Sequence, residues 1–600
     1  MTSRRRWTTL GLGLLLLLAG TAATGAGSAS AATAPTPPPW QVPTQLDPNE
    51  VGTLSLYDAT GNVVTSGNVN DLPVSAYQLG SGAGRTGDDK ATLFAATPAF
   101  GVAPGAWPLS QMSAASTYPD PTAPAALAAS TFPLHTSTST TDLNLASYIA
   151  AHPNNDTTHP GYSGVYELRL KTSALGAGIS PTYNAVDVLV SGTTWTQLYP
   201  APVVATPSLF TAVTPCRVFD TRGAAGSCAS APSVPAQPIR PGGVLGVKVT
   251  GMGNVPTDAT AVVLNVTAVG ATVPGTYVSV YPASPTPPNV SNLNVASSAP
   301  VPNLAVVPVG PGGMVDFYNH VGNVNVIADV SGYFSAAGTS AYTAAVPCRV
   351  FDTRLGTGSC TSPPTFTPAP VGPGGILKIN ITGVAGVPAN ATAVVLNVTA
   401  VGATVPGTYV SVYPDAPTQP AVSNLNVNSA KPVPNLVIVP VGPGGLVDFY
   451  NHTGSVNLLG DLAGWFAPGT SATYTTTGPC RVFDTRSGTG VCSAAPTFTA
   501  AKIGPKGILK IKVTGVGGVP ANATAVVLNV TAVGASVPGT FISAYPDSPT
   551  VPTVSNLNVN SSAAIPNLAI VQVGPGGVID FYNATGTVNL IGDVAGYFAP

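Results

Sequence analysis

The stretch PCRVFDTRGAAGSC, from Pro215 to Cys228, returns as PCRVFDTRLGTGSC from Pro347 and as PCRVFDTRSGTGVC from Pro479. Its cysteines stand at 216 and 228, 348 and 360, 480 and 492, so each copy follows the last at a constant step of 132 residues with no insertion. That period exceeds the ~20–50 residues of a solenoid unit and describes a whole domain. Three like domains, at residues 209–336, 341–468 and 473–600, therefore follow a different N-terminal region at 40–200 and a linker at 201–208.

Within the first copy eight runs read as strands: CRVFDTR, GVLGVKVTG, TAVVLNVTAV, GTYVSVYP, SNLNV, NLAVVPV, GMVDFYN and VNVIADVSGYF. Alternation and β-branched residues support strands, and turns such as RPGG, GPGG and GPKG at 240–243, 372–375 and 504–507 punctuate them. The expected class is all-β: an N-terminal β-domain plus three tandem eight-stranded antiparallel β-sandwiches, jelly-roll-like. In the N-terminal region, GTLSLYDATGNVVTSG, YELRLKTS and AVDVLVSGTTWTQLYP read as strands of a further sandwich, with a polar, Ala/Ser/Thr/Pro-rich middle between 103 and 154.

Residues 1–31 read as an export signal, with Arg4–Arg6, an apolar LGLGLLLLLAG and a small-residue ASA ending at Ala31; a Pro-rich leader, 32–39, follows. SRRRW also resembles a twin-arginine signal, and the Leu-rich core favours the general secretory route. The expected location is extracellular or cell-surface, without a membrane span. Export permits disulfides, and Cys216–Cys228, Cys348–Cys360 and Cys480–Cys492 is the simplest pairing, each bridge contributing about 3 kcal/mol in the chain-entropy account. Metal ligation is the competing reading; it lacks a neighbouring His, so no metal and no cofactor is expected.

The order PCRVFDTR … GVPANATAVVLNVTAV … GTYVSVYP … SNLNV … PNL … GPGGLVDFYN … GDLAGWF resembles a repeat of secreted actinobacterial proteins, mostly uncharacterised, that often carry it in tandem. The resemblance covers Pro215–Phe334, Pro347–Phe466 and Pro479–Phe598. It implies the fold and an extracellular location, and no activity.

Charged residues are only 7% of the chain and the formal net charge is −2, which leaves no electrostatic case for nucleic acid or anionic lipid. The few charges are concentrated. Strand alternation sets Asp220 and Arg222 side by side, and likewise Asp352 with Arg354 and Asp484 with Arg486, as clamps on each first strand; a carboxylate- or sugar-binding arginine is the alternative. Asp329, Asp461 and Asp593, in the last strand of each copy, are further partners for a first-strand arginine, with calcium as a weaker reading. The recurrent SNLN at 291–294, 423–426 and 555–558 and the PNL at 302–304, 434–436 and 566–568 suggest amides satisfying backbone groups, or sugar hydroxyls.

In TYVSVYP the valines alternate with Tyr277, Ser279 and Tyr281, and the stripe returns as Tyr409, Ser411, Tyr413 and as Phe541, Ser543, Tyr545. Valines facing inward would expose an aromatic–Ser–aromatic face able to stack on sugars or partner surfaces; cross-strand packing of the rings is the other reading. N-x-T sequons such as Asn265-Val266-Thr267 read as compositional. Catalysis has little support: the only glutamates, Glu50 and Glu167, and three of the five histidines, His135, His152 and His159, lie in the N-terminal region; His320 and His452 have Ala584 in the third copy. No catalytic residue is assigned. The expected role is non-enzymatic attachment or scaffolding on a cell-wall or extracellular polysaccharide or a surface protein, the repeats acting multivalently. A secreted polymer hydrolase with a catalytic N-terminal region is the alternative.

Overall fold

A computed structural model describes residues 39–600 apart from 41–46, 62, 73, 129, 131, 138–141, 200–206, 224, 285–286, 289 and 470. The export signal at 1–31, nearly all of the leader and most of the linker lie outside the described residues. Among the described residues no helix is long and apolar enough to cross a membrane.

The N-terminal region is one branched ten-stranded sheet rather than the two facing sheets of a sandwich. Its strands are β1 (Glu50–Tyr57), β2 (Ser66–Asn68), β3 (Tyr77–Gly80), β4 (Lys90–Ala96), β5 (Leu109–Gln111), β6 (Ser116–Thr117), β7 (Leu134–Thr136), β8 (Val165–Ala174), β9 (Gly178–Ser191) and β10 (Thr194–Tyr199). The main path runs β5-β4-β8-β9-β1-β3-β7. The polar middle supplies short strands and two short helices, α1 (Ala125–Ala128) and α2 (Leu145–Ala151); Asn144 caps α2 by accepting from the Ser147 N–H at 2.9 Å.

All eight runs of the first repeat form strands: β11 (Leu209–Asp220), β12 (Val244–Lys248), β13 (Ala261–Val269), β14 (Thr276–Pro282), β15 (Leu293–Val295), β16 (Val301–Pro308), β17 (Met314–Asn319) and β18 (Asn325–Ser335). They divide into an inner sheet, β11-β18-β13-β16, and an outer sheet, β12-β17-β14-β15, and repeats 2 and 3 follow the same plan. Residues of both sheets, among them Val262, Leu264, Val266, Val278, Val280, Val315 and Phe317, close one core per repeat.

The inner sheets are apolar on both faces. In β13, AVVLNVTAV, Val262, Leu264, Val266 and Ala268 enter the repeat's own core, while Ala261 and Val263 point the other way. There they meet Ala393 and Val395 of repeat 2 and Ala525 and Val527 of repeat 3 in a central core that all three repeats build. Aromatic pairs join the sectors cyclically: Phe210 with Phe466 at 4.2 Å, Tyr342 with Phe598 at 4.2 Å, and Tyr474 with Phe334 at 4.3 Å between ring centroids. Gly332, Gly464 and Gly596 permit this approach, because a Cβ at any of them would collide with Phe210, Tyr342 or Tyr474.

The expectation of three tandem eight-stranded sandwiches is thereby corrected. The strands are shared among six four-stranded sheets, and the repeats are sectors of a closed ring. Closure extends to the backbone. The Phe210 N–H donates to Ser340, Tyr342 to Ala472 and Tyr474 to Ser208, each at 2.8 Å, so the end of the linker takes the place that a fourth copy would fill. The physical reason is the second apolar face, which an isolated sandwich would leave in water at roughly 1.5–3 kcal/mol per large side chain.

A cavity in the central core should therefore weaken all sectors together. Phe334→Ala is expected to cost about 3–5 kcal/mol, measured by urea unfolding, with hydrogen exchange accelerating in all three repeats rather than in the first alone.

Candidate functional site

The charged segment that opens each repeat is resolved into a compact network. Disulfides join Cys216 to Cys228, Cys348 to Cys360 and Cys480 to Cys492. A register irregularity between Arg217 and Phe219 breaks the expected alternation, so Val218 and Phe219 both enter the core. Arg222 donates from Nε and Nη2 to Asp220 at 2.9 and 2.7 Å, and Arg354–Asp352 and Arg486–Asp484 repeat the fork. Burial acts to raise the Asp220 carboxyl, yet hydrogen bonds from Arg222 and the charges of Arg222 and Arg217 hold it below the usual range. Arg217 turns to the last strand and donates to Asp329 at 2.9 Å; Arg349 and Arg481 do the same with Asp461 and Asp593. Burial dominates at Asp329 and pushes it up to about 6 against the pull of Arg217.

These acids lie at the sector boundaries, where the asparagine motifs find their use. Asn265 donates to the Ser423 carbonyl at 2.7 Å, Asn397 to Ser555 at 2.5 Å and Asn529 to Ser291 at 2.6 Å. Asn435 donates to Asn265 at 2.9 Å, Asn567 to Asn397 at 2.8 Å and Asn303 to Asn529 at 2.8 Å. The Oδ1 atoms of Asn435, Asn567 and Asn303 in turn accept the N–H of Leu304, Leu436 and Leu568. The Asn of LNVT, the Ser of SNLN and the Asn of PNL thus form one cyclic network through buried sheet. Within a repeat, Asn292 also accepts the Val280 N–H at 2.7 Å. The asparagines of the Asn265, Asn397 and Asn529 sequons are structural amides.

The exposed aromatic–Ser–aromatic stripe is corrected. Val278 and Val280 do face the core, but Ser279 is 0% and Tyr281 1% exposed, and Ser411, Tyr413, Ser543 and Tyr545 are buried likewise. The connection from β14 to β15 folds back over this face: Ser279 donates to the Val290 carbonyl at 2.5 Å, Ser411 to Val422 and Ser543 to Val554. Tyr277, Tyr409 and Phe541 remain half-buried. Tyr277 stacks on His320 at 4.5 Å with Tyr318 at 6.1 Å, and Tyr409 stacks on His452 at 4.5 Å with Tyr450 at 6.2 Å. Repeat 3 keeps Phe541 and Tyr582 at 6.1 Å and has Ala584 in place of the imidazole. The sequence pattern singled out His320 only as a candidate for catalysis and did not single out Tyr318; both fall on the outward alternation of the neighbouring strand.

Repeat 1 departs from its copies at the edge of the outer sheet. Lys378 pairs with Asp415 and with buried Asp448, and Lys510 with Asp547 and Asp580. The corresponding residues of repeat 1 are Gly246, Ala283 and Asp316. Asp316 keeps a hydrogen bond from the Ser284 N–H at 3.2 Å, and burial pushes it up to about 6. Tyr199, at the end of β10, is buried and is an electrostatic neighbour of Asp316 and Tyr281.

In the N-terminal region Glu167 is buried against Arg169, whose Nε donates to it at 2.5 Å and whose guanidinium lies 4.2 Å from the Tyr183 ring. Ser116 Oγ and His135 Nδ1 are 2.8 Å apart with Asp142 as an electrostatic neighbour, but His135 is 1% exposed and burial pushes its pKa down. His135, Glu167 and Arg169 are buried, and Ser116 is half-buried. Among the described residues no cluster of three or more His, Cys, Asp or Glu is placed to hold a metal ion. No protein-family model matches the chain, and no curated protein matches it in sequence.

Two outcomes follow from these contacts. Asn435→Ala strips partners from Asn265 and from the Leu304 N–H, and should cost about 1–3 kcal/mol in urea unfolding. Asp316 binds its proton more tightly in the fold than in the unfolded chain. Its contribution is therefore most favourable below about pH 4 and declines as pH rises to about 6. Asp316→Asn should remove that decline, gaining about 2–3 kcal/mol on the parent between pH 4 and 7 in paired unfolding curves.

Proposed function

We propose that the chain is an exported, non-catalytic attachment or scaffolding protein of the cell surface or extracellular matrix. The observation that carries this reading is the closed ring. Three repeats spend their inner faces and their polar motifs on one another, which leaves three outer sheets held in fixed relation. Rigid presentation suits multivalent contact: the sites engage one surface together without ordering a linker at each step.

Supporting features are the three disulfides, which fit an oxidising compartment, and the low charge. The strand order within each sector, 1-8-3-6 facing 2-7-4-5, supports a jelly-roll path for the chain. The resemblance to secreted actinobacterial repeats agrees with this reading. The hydrolase alternative draws no support from the Ser116–His135 pair, whose imidazole is buried, or from the buried Glu167–Arg169 pair.

The purified chain from residue 32 onward is expected to sediment with whole cells and with isolated cell walls, and to release no soluble fragments from them. Absence from both pellets would overturn the attachment reading. Steady release of soluble fragments would replace it with the hydrolase.

A further inference from the structure

The three outer sheets are not equivalent, and the difference falls on residues that the fold does not need. In repeats 1 and 2 a half-buried tyrosine lies nearly parallel to an exposed histidine, with interplanar angles of 17° and 19°. A second tyrosine braces the imidazole, Tyr318 Oη standing 3.4 Å from His320 Nδ1 and Tyr450 Oη 3.3 Å from His452 Nδ1. None of these rings belongs to the repeat cores or to the central core. Beside Tyr277 an open cleft of about 340 Å³ runs along the sector boundary, walled by Gly275, Thr276, Asn294 and Val295 of repeat 1 and Ala563 and Ala564 of repeat 3.

We propose that Tyr277–Tyr318–His320 and Tyr409–Tyr450–His452 are two stacking subsites for the pyranose rings of a neutral polysaccharide, and that repeat 3 carries a disabled copy. This rests on the attachment reading and names its ligand class. The platform is flat and amphipathic: a π-face for the C–H face of a sugar, with a phenol and an imidazole at its rim for hydroxyl groups. Asn294, the cross-strand partner of Tyr277, adds an amide at the mouth of the cleft. A neutral ligand suits the low charge of the chain, and Arg481, an electrostatic neighbour of Tyr277, is already paired with Asp593 at 2.9 Å. It is a polymer because one such stack is weak, and two on a rigid ring gain from simultaneous engagement. In repeat 3, Ala584 deletes the imidazole and Phe541 the hydroxyl.

The test uses the full exported chain, with insoluble cellulose and chitin as probes beside cell walls treated with periodate, which destroys the vicinal diols of sugars. The parent should be retained on at least one polysaccharide and lose retention on periodate-treated walls. The pair His320→Ala and His452→Ala, both at exposed positions, should weaken retention about 10-fold with an unchanged urea midpoint. Ala584→His with Phe541→Tyr should strengthen it by installing a third platform. Parental retention by the double alanine variant would overturn the assignment of these rings. A parent that binds walls equally well after periodate would overturn the polysaccharide while leaving attachment in place. A parent that binds neither walls nor cells would remove both.

Discussion

Everything in the repeat region depends on a sheet with two apolar faces. One face of each inner sheet closes a core with its outer sheet, and the other has no partner within its own repeat. Three such faces meeting on a common axis solve the problem at once, because each supplies the apolar surface that the others lack. The cost is that polar backbone and side chains at the sector boundaries are buried too, and they require partners. The asparagines of LNVT and PNL and the serine of SNLN provide them in a cycle that returns to its starting repeat.

The same constraint orders the charges. A chain with so few ionisable groups places an Arg–Asp fork at the end of every first strand and a second Arg–Asp pair between first and last strands. Asp220 receives Arg222 directly and has Arg217 at 3.8 Å, while Asp329 lies where the neighbouring SNLN docks. Pairs like these fix geometry more than they add stability, since desolvation offsets much of the Coulomb attraction. Their role is to hold the disulfide-closed segment and the sector boundary in one arrangement.

Departures from the threefold pattern fall on the outer sheets. Repeat 1 has Gly246 and Ala283 where its copies have a Lys and an Asp on the outer sheet. Repeat 3 loses the imidazole and a hydroxyl of the outer aromatic platform. Residues that the ring itself needs, such as the three Asn pairs and the three close-approach glycines, are the same in every copy.

Much of this was legible in residue order. The period of the cysteines, the eight runs of each copy and the disulfide pairing follow from spacing and alternation, which are local properties. The Asp329–Arg217 pair was also within reach, as the only acid in a strand of apolar neighbours. The near-continuous AVVLNVTAV carried a further signal that alternation alone hid: a run apolar on both parities is buried on both faces. What filled that second face could not be read, because its partners lie one and two whole repeats away. The burial of Ser279 and Tyr281 was hidden for a related reason, since a strand's parity says which way a side chain points and not what loop returns across it. Sequence by itself determined the strands, their punctuation and the covalent clasps, because short-range sterics and period-2 patterning set them. Only the tertiary structure decided that three repeats form one ring, which rings of the outer sheet stay exposed, and that the amides join sectors, because these depend on surfaces brought together from distant parts of the chain.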